Sequence, residues 1–182
     1  DPDILEGNES SNEYPTKTSN VRESVKKDYS MANAQFYEMC YKLNAGQRYL
    51  FNFLSIYVQR LLHNESNNID LPDPFHIFLS GGGGVGKTHL VIALSEYLKR
   101  MLKFPGQRFD QPSVVLTAST GVAACRISGT TLHGAFKLQL SNSSCDDGFP
   151  QIGDQQLHIM RLKYQHLKVV VIDEISMIGS KT

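Results

Sequence analysis

The residues with the clearest chemical potential are Gly81 to Thr88, whose sequence GGGGVGKT satisfies the pattern G-x-x-x-x-G-K-[ST] of a phosphate-binding loop. Glycines allow tight backbone turns that present successive N–H groups to an anion, and a helix beginning near Gly86 adds the positive end of its dipole. Lys87 would supply a charge for the β- and γ-phosphates, and Thr88 a hydroxyl for Mg²⁺. The alternative is a glycine-rich turn that binds no ligand and precedes Lys-Thr by chance. The nucleotide contacts predicted here are Gly81, Gly82, Gly83, Gly84, Val85, Gly86, Lys87, Thr88 and His89.

A second candidate group is the acidic pair Asp173-Glu174, which follows the apolar run VVVI. An unpaired charge buried at the end of such a strand costs free energy, so the acidic pair indicates a functional role. With a phosphate-binding loop upstream, Asp173 would hold Mg²⁺ through its water shell, and Glu174 would orient and deprotonate the attacking water. We therefore predict Lys87, Asp173 and Glu174 as catalytic residues and Thr88 and Asp173 as metal ligands.

The elements that must position these groups alternate between strand and helix patterns, which is typical of a parallel α/β sheet. His76–Leu79 is short and apolar and predicts a buried parallel strand before the loop. Residues 88–104 predict a long helix, 113–118 a second strand, 155–167 another helix, and 168–178 a buried strand that ends in the acidic pair. Ligands bind at the carboxyl edge of such sheets, so both groups are expected there.

Upstream of the loop, the segment LNAGQ at 43–47 follows a possible short helix from Ala34 to Leu43 and signals a second helix start. Asn44 is a good N-cap, and Gln47 three residues later completes a variant of the capping box. The helix is expected to run to about His63. Gln47 either only caps this helix, or its amide, which carries a donor and an acceptor, also reads the edge of adenine.

Residues 119–136 follow the second strand and are rich in hydroxyl groups and small side chains. Thr120-Gly121 is expected to begin a short helix, and Gly129-Thr130-Thr131 another turn. Hydroxyls and free N–H groups at the carboxyl edge of a sheet suit phosphate contacts. Tight packing of small residues explains the same composition.

The composition is that of one soluble globular domain, with 182 residues, 41% hydrophobic and 20% charged. No apolar run approaches the ~20 residues of a membrane span, and no signal peptide opens the chain. The three cysteines are far apart and the six histidines lack ligand spacing, which excludes a zinc site and a disulfide framework and favours a reducing compartment. Residues 1–33 are polar and predict a linker or tail, and the missing initial Met suggests an excerpt of something longer.

The net charge is zero, but residues 75–145 contain seven basic and two acidic residues. A positive segment would help to bind phosphates. A solvated helix face explains Lys99, Arg100 and Lys103 equally well.

Four separated blocks resemble the Pif-type (petite integration frequency) DNA helicases of superfamily one, and especially the relatives encoded by Helitron-like transposons. The blocks are LNAGQ (43–47), GGGGVGKT (81–88), TASTGVAACRISGTTLH (117–133) and VVVIDEISMI (169–178). The resemblance implies an enzyme that uses ATP and Mg²⁺ to translocate on DNA and unwind it. It also implies single-stranded and duplex DNA as partners, no membrane, a nuclear or alternatively mitochondrial location, and roles in DNA repair, recombination and telomere maintenance. The sequence does not determine the oligomeric state, and a monomer is favoured.

The resemblance also assigns roles to individual residues. It makes Gln47 an adenine contact. It places single-stranded DNA beside Thr117, Ser119, Thr120, Thr131 and His133, although His133 is equally well explained as a packed structural residue.

The fold that the resemblance implies is α/β: an incomplete RecA-like P-loop NTPase domain with a parallel sheet flanked by helices. Residues 34–182 would form the N-terminal part of the first motor domain, and the family's second domain, with an arginine finger worth ~10³ to 10⁵ in rate, would be missing. The chain alone is then expected to bind nucleotide weakly and hydrolyse it poorly. A missing strand would also leave sheet edges unpaired, so the chain alone is expected to aggregate or stay partly unfolded.

Two other function classes remain open on the residues. The first is another phosphate-loop enzyme, such as a kinase or a small GTPase, although the guanine motif Asn-Lys-x-Asp is absent from the sequence. The second is an inactive transposon remnant or a nucleotide-dependent binding module. The site residues Lys87, Asp173 and Glu174 are intact. If the protein is a transposon remnant, it would therefore be inactive because of truncation.

Overall fold

The computed structural model describes residues 31–108, 110–138 and 152–178 of the chain. Residues 1–30 of the predicted polar tail lie outside these residues, as does most of a polar loop that the Ser-, Asn- and Gly-rich composition of Leu140–Asp154 predicts. The tail ends earlier than predicted, because Asn33 is the first residue of a helix and its Oδ1 accepts a hydrogen bond from Arg100. The helices and strands in chain order are α1 (Asn33–Tyr41), α2 (Ala45–Ser66), α3 (Lys87–Met101), β1 (Val114–Ala118), α4 (Gly121–Arg126), β2 (Thr130–Thr131), α5 (Leu132–Phe136), α6 (Asp154–Tyr164) and β3 (Val169–Asp173), followed by a 3₁₀ helix (Ile175–Met177).

The three strands form one parallel sheet in the order β2-β1-β3. All five residues of β1 are buried, as expected for a central strand with helices on its faces. In the register of the sheet, Ala118 lies between Thr131 on one side and Asp173 on the other. The predicted parallel α/β architecture flanked by helices is confirmed.

The core lies between the sheet and α3. Leu90, Leu94 and Leu98 follow one another at intervals of four residues and so share one face of α3. Leu98 joins a buried cluster with β1 and α4, while Leu90 and Leu94 pack with Leu43 and the first half of α2. Each fully buried leucine contributes about 1.5–3 kcal/mol relative to an exposed one. The core therefore fixes α3, and with it the end of the glycine loop.

The strand predicted at His76–Leu79 is wrong, because no residue of this segment belongs to a strand or a helix. Ile77 is 43% exposed and Phe78 is 77% exposed, so the segment is not buried either. A strand is stabilised by hydrogen bonds to a neighbour, and no described strand pairs with this segment. Its start is held by Phe75, whose ring packs edge-on against the ring of Tyr57 at 4.4 Å between centroids.

The strand predicted before the acidic pair is present, but it is not buried as predicted. Val170 is 41% exposed and Ile172 is 38% exposed, whereas the alternating residues are half-buried. In the part of the chain that the structure describes, β3 pairs with β1 on one side and with no strand on the other. Its second edge and one of its faces are therefore open.

Helix α1 is anchored to α3 by Arg100. Its guanidinium pairs with Glu96 at 2.8 Å, donates to Oδ1 of Asn33 at 2.7 Å and to the carbonyl of Met31, and lies 4.5 Å from the centre of the Phe36 ring. The sequence left open whether Arg100 is a solvated charge or one that binds phosphates. The structure supports neither, because its guanidinium is occupied by contacts within the protein.

Candidate nucleotide-binding site

The glycine loop leads directly into α3, as predicted. The last loop residue, Gly86, is the N-cap of α3 and has a φ of +86°, which favours glycine. A Cβ atom added at Gly86 would lie 2.6 Å from Nε2 of Gln47. The backbone conformation therefore favours glycine at this position, and a side chain there would also displace the Gln47 amide.

Lys87 folds back over the loop. Its ammonium group donates to the carbonyl oxygens of Gly81 and Gly82, both at 2.8 Å. An ammonium group has three N–H donors, so two of them are occupied by loop carbonyls. Thr88 is exposed in the first turn of α3, where its hydroxyl can reach an incoming ligand.

Gln47 contacts the loop from the first turn of α2. The predicted capping box is confirmed: Oδ1 of Asn44 accepts from the Gln47 N–H at 3.0 Å, and Oε1 of Gln47 accepts from the Asn44 N–H at 2.9 Å. In addition, Nε2 of Gln47 donates to the carbonyl oxygens of Val85 and Gly86, both at 3.2 Å. This contact could not be predicted from the sequence, since no local pattern links residues that are 38 and 39 positions apart.

His89, predicted as a nucleotide contact, is half-buried, and its Nε2 atom lies 3.2 Å from the carbonyl oxygen of Met39. The imidazole therefore links α3 to α1. Burial also raises the pKa of the neighbouring Cys40 thiol, with Arg48 and Arg100 opposing the shift.

The acidic pair lies at the carboxyl end of β3. Oδ1 of Asp173 accepts from the Glu174 N–H at 3.0 Å, and the Asp173 carbonyl accepts from the Ser119 N–H at 3.4 Å. Glu174 is exposed and has a φ of +53°, an uncommon conformation for a residue with a side chain and one that is found at functional sites. The pair therefore stands beside the end of β1, in a sharp turn.

An Asp carboxylate and a Thr hydroxyl are hard oxygen donors that fit Mg²⁺, and Asp173 keeps a second carboxylate oxygen beyond the one that accepts from Glu174. Across the described ranges no group of three or more His, Cys, Asp and Glu side chains is arranged to hold a metal.

Three of the predicted DNA contacts have structural hydrogen bonds. Thr117 is fully buried, and its hydroxyl donates to the Val171 carbonyl at 2.8 Å, which ties β1 to β3. The hydroxyl of Thr120 accepts from the Ala123 N–H at 3.2 Å, and that of Thr131 accepts from Gly134 at 3.1 Å. Thr120 and Thr131 thus cap α4 and α5, and the helix start predicted at Thr120 is confirmed.

The other two predicted DNA contacts are different. Oγ of Ser119 and Nε2 of His133 are buried atoms with no hydrogen-bond partner among the residues that the structure describes. Buried polar groups in native proteins are nearly always paired, so each unpaired one requires an explanation. Ser119 follows β1 directly and His133 lies two residues after the neighbouring β2, at the same end of the sheet as Asp173.

The close packing of small residues in 119–136 is also real. A Cβ atom added at Gly129 would lie 2.4 Å from the carbonyl oxygen of Leu116. The chain between α4 and β2 therefore passes directly against β1 at a glycine. Both interpretations of this segment, tight packing and a polar surface, have support.

A parallel sheet with a glycine loop at the start of α3 and an acidic pair at the end of β3 defines a RecA-like P-loop NTPase domain. The family model described as PIF1-like helicase matches residues 54–182, and the chain belongs to this family. The match begins after Gln47, so the role of that residue stays a prediction.

Three relatives show the extent of the similarity. The ATP-dependent DNA helicase PIF1 of Saccharomyces cerevisiae (strain YJM789) is 31% identical over 106 residues, which cover 58% of this chain and 11% of the yeast protein. The helicase of the same name from Emericella nidulans is 33% identical over 102 residues, 56% of this chain and 13% of the fungal protein. The ATP-dependent DNA helicase Pif1 of Psychrobacter sp. is 29% identical over 106 residues, 58% of this chain and 14% of the bacterial protein.

The chain thus spans a small part of the length of these relatives, and their names do not bear on the narrower resemblance to Helitron-encoded proteins, which stays a prediction. No solved structure matches the chain significantly. None of the described helices combines the length and the apolar character needed to cross a membrane.

Proposed function

We propose that the chain binds ATP with Mg²⁺ and that, in the complete protein, ATP hydrolysis drives movement along DNA and its unwinding. The observation that carries the proposal is the glycine loop, which ends in Gly86 at the start of α3 and is followed at once by Lys87. The relatives are named ATP-dependent DNA helicases, and the proposal takes from these names that the nucleotide is ATP and that the polymer is DNA.

Lys87 changes partners when a nucleotide binds. In the structure its ammonium group is held by two neutral carbonyls, those of Gly81 and Gly82. Phosphate oxygens of the β- and γ-phosphates carry formal negative charge, so they add a direct Coulomb attraction to the ammonium group that neutral carbonyls do not offer. The exchange therefore favours the bound state, while the N-terminal end of α3 attracts the same charge.

Thr88 and Asp173 are the residues that would hold Mg²⁺, which when bound neutralises charge on the phosphates. Glu174 has an exposed carboxylate next to this position, so it can orient a water molecule and accept its proton. The hydrogen bond from the Glu174 backbone N–H fixes the carboxylate of Asp173 relative to the backbone of Glu174.

The DNA contacts in the proposal are Ser119 and His133. Their buried Oγ and Nε2 atoms have no partner among the described residues, so phosphate or sugar oxygens could satisfy them once the surrounding chain opens to DNA. Thr120 and Thr131 would position them by capping the helices that follow. Thr117 would support the DNA contacts indirectly, since its hydroxyl donates to the Val171 carbonyl and so holds β1 to β3.

The two sites are physically connected. The Ser119 N–H donates to the carbonyl of Asp173, so the first proposed DNA contact is hydrogen-bonded to the proposed metal ligand. A displacement of the acidic pair on hydrolysis would therefore reach the DNA contact directly. The monomeric state, the nuclear location and roles in repair, recombination and telomere maintenance are further parts of the proposal and rest on the resemblance.

The test is the variant Glu174→Gln in the protein expressed from its complete reading frame. ATP binding should be retained, while DNA-stimulated ATP hydrolysis should fall by about 10²- to 10⁴-fold because the general base is lost. Glu38→Gln, an exposed carboxylate of α1 that pairs with Lys42, is the matched control and should leave turnover unchanged. Unchanged turnover of Glu174→Gln would overturn the assignment.

A further inference from the structure

We propose that Gln47 is a positioning residue of the phosphate-binding loop. Its amide holds the carbonyl groups of Val85 and Gly86 and so fixes the loop before a nucleotide arrives. This inference rests on the proposed nucleotide binding.

The orientation of the Gln47 amide is determined by its partners. Oε1 faces the N–H of Asn44, which can only donate, and Nε2 faces the carbonyl oxygens of Val85 and Gly86, which can only accept. A flipped amide would lose all three hydrogen bonds. Both N–H donors of the amide are therefore directed at the loop.

Gln47 is held rigidly on its own side. It lies in the first turn of α2, where the reciprocal hydrogen bonds with Asn44 fix its backbone and side chain. The adjoining Leu43, with Leu50 and Leu54, packs into the buried cluster that includes Leu90 and Leu94 of α3. Gln47 thus connects a fixed helix to the loop.

The loop itself has few other restraints. Cβ atoms added at Gly83 and Gly84 would meet nothing within 4 Å, and the side chain of Val85 is 52% exposed. The Gly86 carbonyl also accepts from the Leu90 N–H at 3.1 Å, in the first turn of α3. Gln47 therefore holds the loop at the residue where it becomes helix, and a loop held in its binding conformation loses less conformational entropy when it binds.

This role competes with the reading of adenine. A glutamine that reads the N6/N7 edge of adenine uses one N–H donor and one oxygen acceptor. In the structure both donors are occupied by loop carbonyls. If Gln47 served only to read adenine, its substitution would not change the binding of a triphosphate that has no base.

The test uses inorganic tripolyphosphate with Mg²⁺ as the probe, measured by calorimetry on the protein expressed from its complete reading frame. Gln47→Glu keeps an acceptor for Asn44 but turns a carboxylate oxygen toward the two carbonyls. Its affinity for tripolyphosphate should fall by about tenfold or more, as expected when one net hydrogen bond is lost. Gln59→Glu, the same change at an exposed position of α2, is the control and should bind as the wild type does.

A second variant keeps the test valid if Gln47→Glu fails to fold. Gln47→Met keeps the length and helix propensity of the side chain but has no donor, and it should show the same loss. Both variants should melt close to Gln59→Glu while their amides at 83–86 exchange hydrogen faster. Tripolyphosphate binding at the wild-type level, with ATP binding reduced, would overturn the inference and leave adenine reading as the role. If the wild type binds neither ligand, the proposed function itself fails, and the inference with it.

Discussion

Nζ of Lys87 lies 2.8 Å from the carbonyl oxygen of Gly81, six residues earlier at the other end of the glycine loop. The side chain thus closes the loop on itself, and the loop is also held from α2 through Gln47. Two residues that the sequence assigns to the nucleotide therefore stabilise the conformation of the loop that is to receive it.

The close passage of the chain at Gly129 gives the first prediction. Gly129→Ala would place a methyl group against the backbone of Leu116, with 2.4 Å between Cβ and the carbonyl oxygen, so the free energy of unfolding should fall by about 1–3 kcal/mol. Urea denaturation measures the change. Gly121→Ala is the control, because its Cβ would meet nothing within 4 Å and Ala is the better helix former. Equal stability of the two variants would show that the strands and α4 do not pack as described.

Arg100 gives the second prediction. Arg100→Ala leaves Glu96, which is 7% exposed, without its charge partner and releases the contacts to Asn33 and Met31. The free energy of unfolding should fall by about 2 kcal/mol, and the amides of α1 should exchange hydrogen faster. Lys99→Ala, an exposed neighbour on α3, should change neither. A loss of DNA affinity in Arg100→Ala, with α1 exchange unchanged, would instead assign this arginine to DNA.

His133 gives the third prediction. His133→Ala removes a half-buried side chain whose buried Nε2 atom has no partner among the described residues, so the affinity for a labelled single-stranded oligonucleotide should fall about tenfold, as on loss of one hydrogen bond to a charged group. Fluorescence anisotropy measures it, with His158→Ala on the exposed face of α6 as the control. Oligonucleotide binding equal to that of the control would mean that His133 is a packing residue.

The open edge of the sheet gives the fourth prediction. Val170 and Ile172 of β3 are exposed, as is Phe78 in the segment before the loop, and an exposed apolar edge strand is prone to pair with other chains. The 182-residue chain expressed alone should therefore aggregate or remain partly unfolded. Size-exclusion chromatography and thermal melting test this, and a cooperative melt of a soluble monomer would contradict it.

Features of the structure could be predicted from the sequence when the interacting residues lie close together in the chain. The N-caps Asn44 and Thr120, the start of α3 and the strand β1 depend on neighbours within a few residues, and all of them are confirmed. The strand expected at His76–Leu79 depends on a pairing partner that no local pattern reveals, and it is wrong.

Long-range contacts in the candidate site show the same limit. The sequence after 116 suggested polar groups at the sheet edge. It could not show that the hydroxyl of Thr117 faces Val171, or that the hydroxyl of Ser119 has no partner among the described residues. Likewise, Gln47 carries a recognisable cap signal, whereas its hydrogen bonds to Val85 and Gly86 result from the packing of α2 on α3.

The most direct test of the central claim is ATP hydrolysis by Lys87→Ala in the protein expressed from its complete reading frame, measured with and without single-stranded DNA. Loss of the ammonium group removes the charge that is aimed at the β- and γ-phosphates, so DNA-stimulated turnover should fall by about 10²- to 10³-fold. Lys99→Ala, on the exposed part of the same helix, should leave it unchanged. Turnover of Lys87→Ala at the wild-type rate would contradict the account.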